Sequence, residues 1–578
     1  MILVFGGTTE GRLAADVLEE AGKPFFYSTK GTMQELTLHH GVRLTGAMDA
    51  AQMTAFCREN DIRCIIDAAH PFAAGLHSTI AAVGVPVVRL QRAVSEPREG
   101  VIYCRDFDDA VAKLLTPPIP RKLLALTGVN TISRLKPFWQ SHPTLFRILP
   151  RSESIAQAES QGFPRENLLF YDSATVAASP LGGTGKEDCD CDAIITKDSG
   201  ESGGFSAKVD AALSRGMRVL VVKALDYASF FAEVQTPLDI VTGRYGLRRA
   251  VERIVPGFFP LRTGFTTGAC ATAAAKASLL HLLTGESPES VCFALPDGEV
   301  MSIDVTDEGH GVFSAKKDFS DDPDVTRGCK IRAQVRPGVE GIRFLQGDGV
   351  GTVTLPGLGI PVGEPAVNPT PRRMIEEEFR ALSDAPYDVT ISVDGGAELA
   401  LHTFNLRVGV LGGISIIGTS GIVRPLSHEA FVQSLRREIG VARAIGCEEI
   451  ALVSGMNGEQ AVRRQRDIRC IHYGNDVGEA LQAAHDEGVP RVLLAIMIGK
   501  AVKLAEGHLN THSHRVTMNR AFLTSLAPEY ADRIEKITLA RELWDFMPDS
   551  FFEQIRVLCY EHCRKVFPSG DLIIQIIR

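Results

Sequence analysis

The stretch Arg262-Thr-Gly-Phe-Thr-Thr-Gly-Ala-Cys-Ala-Thr-Ala-Ala-Ala-Lys-Ala277, near the middle of the chain, constrains the fold more than any other. Its first half, with two glycines and three threonines, cannot be the interior of a regular element. From Ala269 onward it is almost pure alanine, the best helix former. A polar loop therefore feeds a helix of small side chains, which a neighbouring element or a flat ligand can approach closely. N–H groups exposed at such a helix start suit an anion or a polar ligand. Thr266, Thr267 and Gly268 are the candidate binding residues here, with Arg262 beside them.

At 578 residues the chain exceeds one domain, and its length predicts about three to four. No apolar run reaches the length needed to span a membrane; Val492-Leu-Leu-Ala-Ile-Met-Ile498 is a buried strand at most. Met1-Ile-Leu-Val-Phe-Gly-Gly7 lacks the basic start of a signal peptide and opens directly into a strand, so a cytoplasmic protein is expected. The 12 cysteines are scattered and fit reduced thiols. Cys559, His562 and Cys563 share one helical face but lack an evident fourth metal ligand. The net charge of −9 argues against a nucleic-acid partner, and an anionic substrate must be met by local arginines.

The first 250 residues alternate apolar runs with glycine loops and helical periods. Ile2–Phe5 runs into Gly6-Gly-Thr-Thr-Glu-Gly11, then a helix that ends at Gly22, then a strand from Phe25. That order places a diphosphate at a helix N-terminus and makes Gly6, Gly7, Thr8, Thr9 and Glu10 candidate cofactor contacts. The second strand ends Ser28-Thr29-Lys30, with hydroxyls and a cation where a carboxylate would select against a 2′-phosphate. NADPH is thus tolerated beside NADH. Cys64-Ile-Ile-Asp-Ala-Ala-His70 puts Asp67 and His70 at the C-terminal end of a strand, the ligand edge of an open α/β sheet. Arg89 follows another strand. A second set of units brings Thr127-Gly128, Arg151 and the polar loop Lys197-Asp-Ser199-Gly200 to equivalent positions. Two consecutive parallel α/β lobes imply a cleft for cofactor and substrate.

The ordered set G-G-T-T-E-G-R, D-A-A-H-P-F-A, T-G-V-N and T-K-D-S-G-E-S-G-G-F-S-A-K resembles the precorrin-6A reductase family, of CbiJ/CobK type, from Met1 to near Arg249. The resemblance implies reduction of a corrin precursor by a nicotinamide cofactor. His70 is then the candidate proton donor, with Asp67 orienting it, and Thr127, Gly128, Lys197, Ser199 and Gly200 join the cofactor contacts.

Pro256-Gly-Phe-Phe-Pro260 has linker composition, so domains are expected at 1–250 and 262–578, joined by 251–261. The second portion is expected to be α/β or α+β. Asp318, Asp321, Asp322 and Asp324 crowd one loop, more simply a polar loop than a cation site. Gln346-Gly-Asp348-Gly is too glycine-rich for helix. Thr370 and Pro371 form an N-cap and first-turn pair. Arg372 and Arg373 behind them oppose the helix dipole, which makes sense if an anion sits there. Gly418-Thr419-Ser420-Gly421 and Ser454-Gly-Met-Asn-Gly458 are further loops able to hold a nucleoside cofactor. His508, His512 and His514 stand near Lys503 and Arg515, which favours polar substrate contacts over a metal.

R-T-G-F-T-T-G-A-C-A-T-A-A, D-D-P-D-V-T, G-D-G-V-G-T-V-T-L-P-G-L-G, N-P-T-P-R-R-M-I, G-I-S-I-I-G-T-S-G-I-V and V-K-L-A-E-G-H-L-N-T-H-S resemble the cobalt-precorrin-5B (C-1)-methyltransferase family, CbiD, almost throughout the second portion. That resemblance implies S-adenosylmethionine as methyl donor, cobalt-precorrin tetrapyrroles as substrates, and a bifunctional enzyme of cobalamin biosynthesis. Arg89, Arg151, Arg262, Asp348, Arg372, Arg373, His512 and Arg515 are the candidate substrate contacts. A non-catalytic carrier of a cobalt tetrapyrrole is the alternative. An unrelated short-chain dehydrogenase would need a Tyr-x-x-x-Lys pair in the first portion, which is absent.

Overall fold

The computed structural model describes residues 1–31, 36–92, 97–171, 180–182, 190–198, 204–425, 427–513 and 515–578. The chain divides into two compact units, Met1–Pro260 with Glu299–Met301, and Leu261–Gly298 with Ser302–Arg578.

The first unit is built on two parallel sheets. Short apolar strands, buried on both faces, leave parallel pairing with helices on either side as the natural way to cover them. One sheet contains β1 (Ile2–Phe5), β2 (Phe25–Thr29), β3 (Gly41–Thr45), β4 (Cys64–Asp67) and β5 (Val87–Leu90). The other contains β6 (Val101–Cys104), β7 (Leu123–Ala125), β8 (Thr144–Ile148), β9 (Leu168–Phe170), β10 (Ala193–Lys197) and β11 (Arg218–Val222). The chain then returns to the first sheet as β12 (Leu238–Val241). The strand orders are β12-β5-β4-β1-β2-β3 and β6-β11-β10-β7-β8-β9. Order therefore reverses between β1 and β4 in one sheet and between β7 and β10 in the other, where open sheets leave a crevice beyond their C-terminal strand ends.

Helix α1 (Thr9–Glu19) follows β1, and α2 (Ala74–Ala81) follows β4. Helix α3 (Gly243–Ile254) packs on α1 and β5. The segment expected as a linker is not free. Leu247, Ala250, Val251, Phe258 and Phe259 are buried with Ile2, Val4 and Leu18 in one core. A Pro–Gly composition resembled a linker, but the two phenylalanines between the prolines anchor it.

In the second unit the alanine-rich stretch forms α4 (Thr267–Thr284), buried continuously from Thr267 to Ala275. Beside it lies a sheet of β13 (Thr306–Gly309), β14 (Val312–Lys316), β15 (Lys330–Pro337), β16 (Ile342–Gln346) and β17 (Tyr387–Val393), in the order β13-β14-β15-β17-β16. Small side chains let α4 pack on β14, β15 and helix α5 (Pro369–Arg380) at once. Helix α6 (His428–Ala444) leads into a parallel sheet of β18 (Glu449–Val453), β19 (Arg469–His472), β20 (Arg491–Met497) and β21 (Asp571–Ile577). Its order is β19-β18-β20-β21, and helix α7 (Met456–Arg463) follows β18. The α/β architecture expected for both portions is present. Among the described residues no helix is long and apolar enough to cross a membrane.

Candidate functional site

In the first unit the switch crevices collect most of the residues singled out from sequence. Thr8 caps α1, accepting from the Gly11 N–H at 3.0 Å and donating to the Ala68 carbonyl at 2.6 Å. It thereby ties the glycine loop to the end of β4. Gly7 has φ +94°, and a Cβ there would meet nothing within 4 Å, so there is open space beside the loop, while the Gly7 N–H donates to the Tyr27 hydroxyl at 3.4 Å. Gly6 serves packing instead: a Cβ would lie 2.0 Å from the Tyr27 hydroxyl. Glu10 is held by Arg92 through two bonds of 2.8 and 2.9 Å, which sets a guanidinium beside the loop. Burial pushes the Glu10 carboxyl up, but its hydrogen bonds and the Arg92 charge bring it below the usual range.

Asp67 and Arg89 do not play the expected parts. Asp67 is fully buried and accepts from His77 Nδ1 at 2.7 Å, Tyr227 Oη at 2.7 Å, Arg89 at 3.0 Å and the Ala69 N–H at 3.0 Å. It orients His77, not His70. Arg89, 2% exposed, also donates to the Asp67 and Ala69 carbonyls and covers the Tyr227 ring, so it cannot reach a substrate. The histidine ten residues on, inside a helix, was the partner that sequence left unmarked. His77 Nε2 lies 3.2 Å from the His70 carbonyl, linking this buried floor to the rim above it.

His70 stands exposed on that rim, its Nδ1 accepting from the Phe72 N–H at 3.3 Å. Protein around the ring and then the Lys197 and Arg92 charges pull its imidazole down to about 4. Lys197, at the end of β10, places Nζ 5.1 Å from the centre of the Phe72 ring. Partial burial lowers its ammonium to about 8. Among the described residues it has ring contacts and no carboxylate partner. Thr127 shares its hydroxyl with Thr131 at 2.6 Å, and Gly128 turns at φ +83°. Thr29 Oγ1 donates to the Gly31 carbonyl at 2.7 Å and Ser28 is buried, which leaves exposed Lys30 as the reachable group of that trio. Arg151 is exposed beyond β8. Ser199 and Gly200 lie outside the described residues, as does His514 in the second unit.

In the second unit the expected binding loops close on each other. Thr266 Oγ1 caps α4 at the Ala269 N–H (3.1 Å), and the Gly268 N–H donates to the Ile417 carbonyl at 2.9 Å. Thr267 Oγ1 accepts from the Ile417 N–H at 2.9 Å. A Cβ at Gly418 would lie 2.2 Å from Thr266 Oγ1. The Gly421 carbonyl accepts from the Thr266 N–H, and Ser420 Oγ donates to the Ile422 carbonyl. These hydroxyls and amides form a clasp between α4 and the Ser415–Gly421 segment, in which Ile417 and Thr419 are exposed.

Helix α5 begins two residues earlier than expected, with Asn368 as N-cap and Pro369 at the first position. Pro371 falls in the same turn. Two of the first three helical residues therefore lack an N–H, and Thr370 alone offers one. Arg372 is engaged as well: it pairs with Glu364 at 2.7 Å and donates to the Val367 and Pro365 carbonyls. Its fork holds the Glu364–Val367 segment before the helix. Arg373 is exposed. Arg262 is paired with Asp321 at 2.8 Å, Asp324 with buried Lys317 at 2.6 Å, and Asp318 accepts from the Phe265 N–H at 2.7 Å. Asp348 and Arg515 are exposed, and the His512 N–H donates to Asn510 Oδ1.

By contrast α7 starts open. Gly455 precedes it with no side-chain cap, and a Cβ there would meet nothing within 4 Å. Among the described residues the Met456, Asn457 and Gly458 N–H groups have no hydrogen-bond partner. This helix start lies at β18, beside the β18/β20 switch of the third parallel sheet.

Residues 1–242 match the family described as Precorrin-6x reductase CbiJ/CobK, and residues 257–425 match CbiD. Over 341 residues the chain is 43% identical to a cobalt-precorrin-5B C(1)-methyltransferase of Prosthecochloris aestuarii, covering 54% of this chain and 92% of that protein. Among solved structures, the cobalamin biosynthesis protein CbiD of Archaeoglobus fulgidus is 25% identical over 55% of this chain and 87% of its own, with a TM-score of 0.26. A CobK precorrin-6A reductase is 21% identical over 45% of this chain and 98% of its own, with a TM-score of 0.34.

Proposed function

Because this chain belongs to the cobalt-precorrin-5B C(1)-methyltransferase family and carries a CbiJ/CobK segment ahead of it, we propose that it catalyses two steps of cobalamin biosynthesis. The second unit methylates C-1 of cobalt-precorrin-5B, and the first reduces the resulting cobalt-precorrin-6A to cobalt-precorrin-6B. The observation that carries this reading is the presence of both family segments, in sequence, on one chain. When bound, S-adenosylmethionine supplies the methyl group and the nicotinamide supplies a hydride.

The residues present fit both cofactors. In the first unit the open space beside Gly7, at the start of α1, suits a diphosphate, and Lys30 suits a 2′-phosphate, so NADPH is accepted beside NADH. In the second unit the amides of Met456, Asn457 and Gly458 suit the carboxylate of S-adenosylmethionine better than the closed Thr266–Gly268 clasp does. Methyl transfer needs orientation of an electron-rich ring carbon rather than a protein nucleophile. For the reduction, Lys197 holds the proton: an ammonium titrating near 8 is charged at neutral pH, whereas an imidazole titrating near 4 is not. His70 then lines the site as a neutral ring.

Anaerobic incubation with cobalt-precorrin-5B, followed by mass analysis, tests this reading. With S-adenosylmethionine alone the product gains one methyl group; with NADPH or NADH added it gains two hydrogens more. Reduction slows as pH rises through about 8, and Lys197→Gln removes that limb while lowering the rate on the order of 100-fold. Binding of the tetrapyrrole with neither product formed would favour the carrier.

A further inference from the structure

The N-terminus of α5 opens on a cavity of about 220 Å³ lined by Asn368, Thr370, Gly418, Thr419 and Arg437. Arg437 projects from α6 and also borders a second cavity of about 520 Å³, shared with Arg436, Gly440, Arg443 and Glu487. Its neighbour Arg436 is neutralised by Asp486 at 2.8 Å. Among the described residues the Arg437 side chain has no ion pair and no hydrogen bond, although the residue is half-buried. Burial lowers the pKa of its guanidinium, and no carboxylate offsets that. A desolvated arginine without a counter-ion is costly unless something anionic completes it.

A second observation points the same way. Asn368 is 8% exposed, lines the smaller cavity, and its carboxamide makes no hydrogen bond among the described residues. The Thr370 and Thr419 hydroxyls beside it also lack hydrogen-bond partners among the described residues. Here the first-turn prolines, which leave Thr370 as the single amide, matter less than the side chains around them.

We propose that Arg437, with Asn368 and Thr370, forms a carboxylate-binding subsite that receives one acid arm of the tetrapyrrole substrate. This inference rests on the methyl-transfer reading above. A cavity of 220 Å³ is too small for a macrocycle and fits an acetate or propionate arm, while the larger adjoining space is open to the rest. The arginine fork accepts a carboxylate in bidentate fashion. It takes the part that sequence assigned to Arg372, whose donors are already engaged.

The test titrates the full-length protein with cobalt-precorrin-5B and, separately, with uroporphyrin, a tetrapyrrole bearing acetate and propionate arms. Arg437→Gln weakens both on the order of 30-fold, and Arg437→Lys, which keeps the charge but loses the fork, on the order of 5-fold. Affinities within twofold of the unsubstituted protein for both variants overturn the subsite. So does a larger loss from Arg373→Gln than from Arg437→Gln. Failure of the methyl-transfer reading shows differently: the unsubstituted protein would leave cobalt-precorrin-5B unmethylated, whatever uroporphyrin binding reports. Thermal unfolding followed at Trp544, in the same unit, confirms that each variant is folded.

Discussion

The glycine loop before α1 and the threonine–glycine loop before α4 look alike in sequence and differ in what they leave open. Both carry a threonine cap and both place a glycine in the first turns of the helix that follows. Before α1, Gly7 faces open space while Arg92, His70 and Lys197 stand around the crevices. Before α4, Thr267 and Gly268 bond to Ile417, and Gly418 is pressed against Thr266. A glycine required by a neighbouring segment and one required by a ligand leave the same mark in a sequence. Only the occupant of the space next to it distinguishes them.

The largest effect that sharpens this contrast is expected beneath the open loop. Asp67→Ala leaves Arg89 and His77 buried without their carboxylate, so the first unit should lose about 3–5 kcal/mol. Denaturant unfolding followed at Trp139 measures it. Burial pushes the Asp67 carboxyl up, but the His77 hydrogen bond and the Arg89 charge outweigh it and hold the carboxyl below the ordinary 3.8. The folded group thus binds its proton less readily than the unfolded one. Its contribution is in place above about pH 4 and is lost as pH falls through the lower folded value. In Asp67→Ala that acid-dependent part of the unfolding curve disappears.

A smaller effect belongs to the closed loop. Gly418→Ala drives a Cβ onto Thr266 at φ +146° and should destabilise the second unit by about 2–3 kcal/mol, read at Trp544. The counterpart Gly7→Ala meets no atom within 4 Å. It should cost about 1 kcal/mol, from its positive φ alone, and weaken nicotinamide-cofactor binding on the order of fivefold. Equal losses of stability at the two glycines would dissolve the distinction between an occupied loop and an open one.

Much of the architecture was legible because its signals are local. Apolar runs such as Cys64–Asp67 and Ala193–Lys197, each followed by polar turns, announced parallel strands and the edge at which ligands gather. The end of the first unit was less so. A phenylalanine pair between prolines scans as an exposed linker until α3 and the Ile2–Phe5 core are seen to bury it. A fragment ending at residue 250 would cut α3 and discard Phe258 and Phe259, whereas Pro260 closes the unit. The site was legible in place but not in role. Asp67 and His70 lie three residues apart, and their closeness in the chain hid that Asp67 faces inward, to His77, Arg89 and Tyr227.

By itself the sequence determined where strands end, where backbone is unencumbered by side chains and which arginines and hydroxyls stand near those ends, because those properties follow from periodicity and residue type. Tertiary structure decided which of these groups retain bonding capacity. Hydrogen bonding is a matter of occupancy: Thr267 and Arg372 had suitable chemistry, but Ile417 and Glu364 reached them first. Arg437 carries no local signal, being one of two adjacent arginines in a helix. The fold gave one of them an ion pair with Asp486 and left the other beside a cavity, with its fork unfilled.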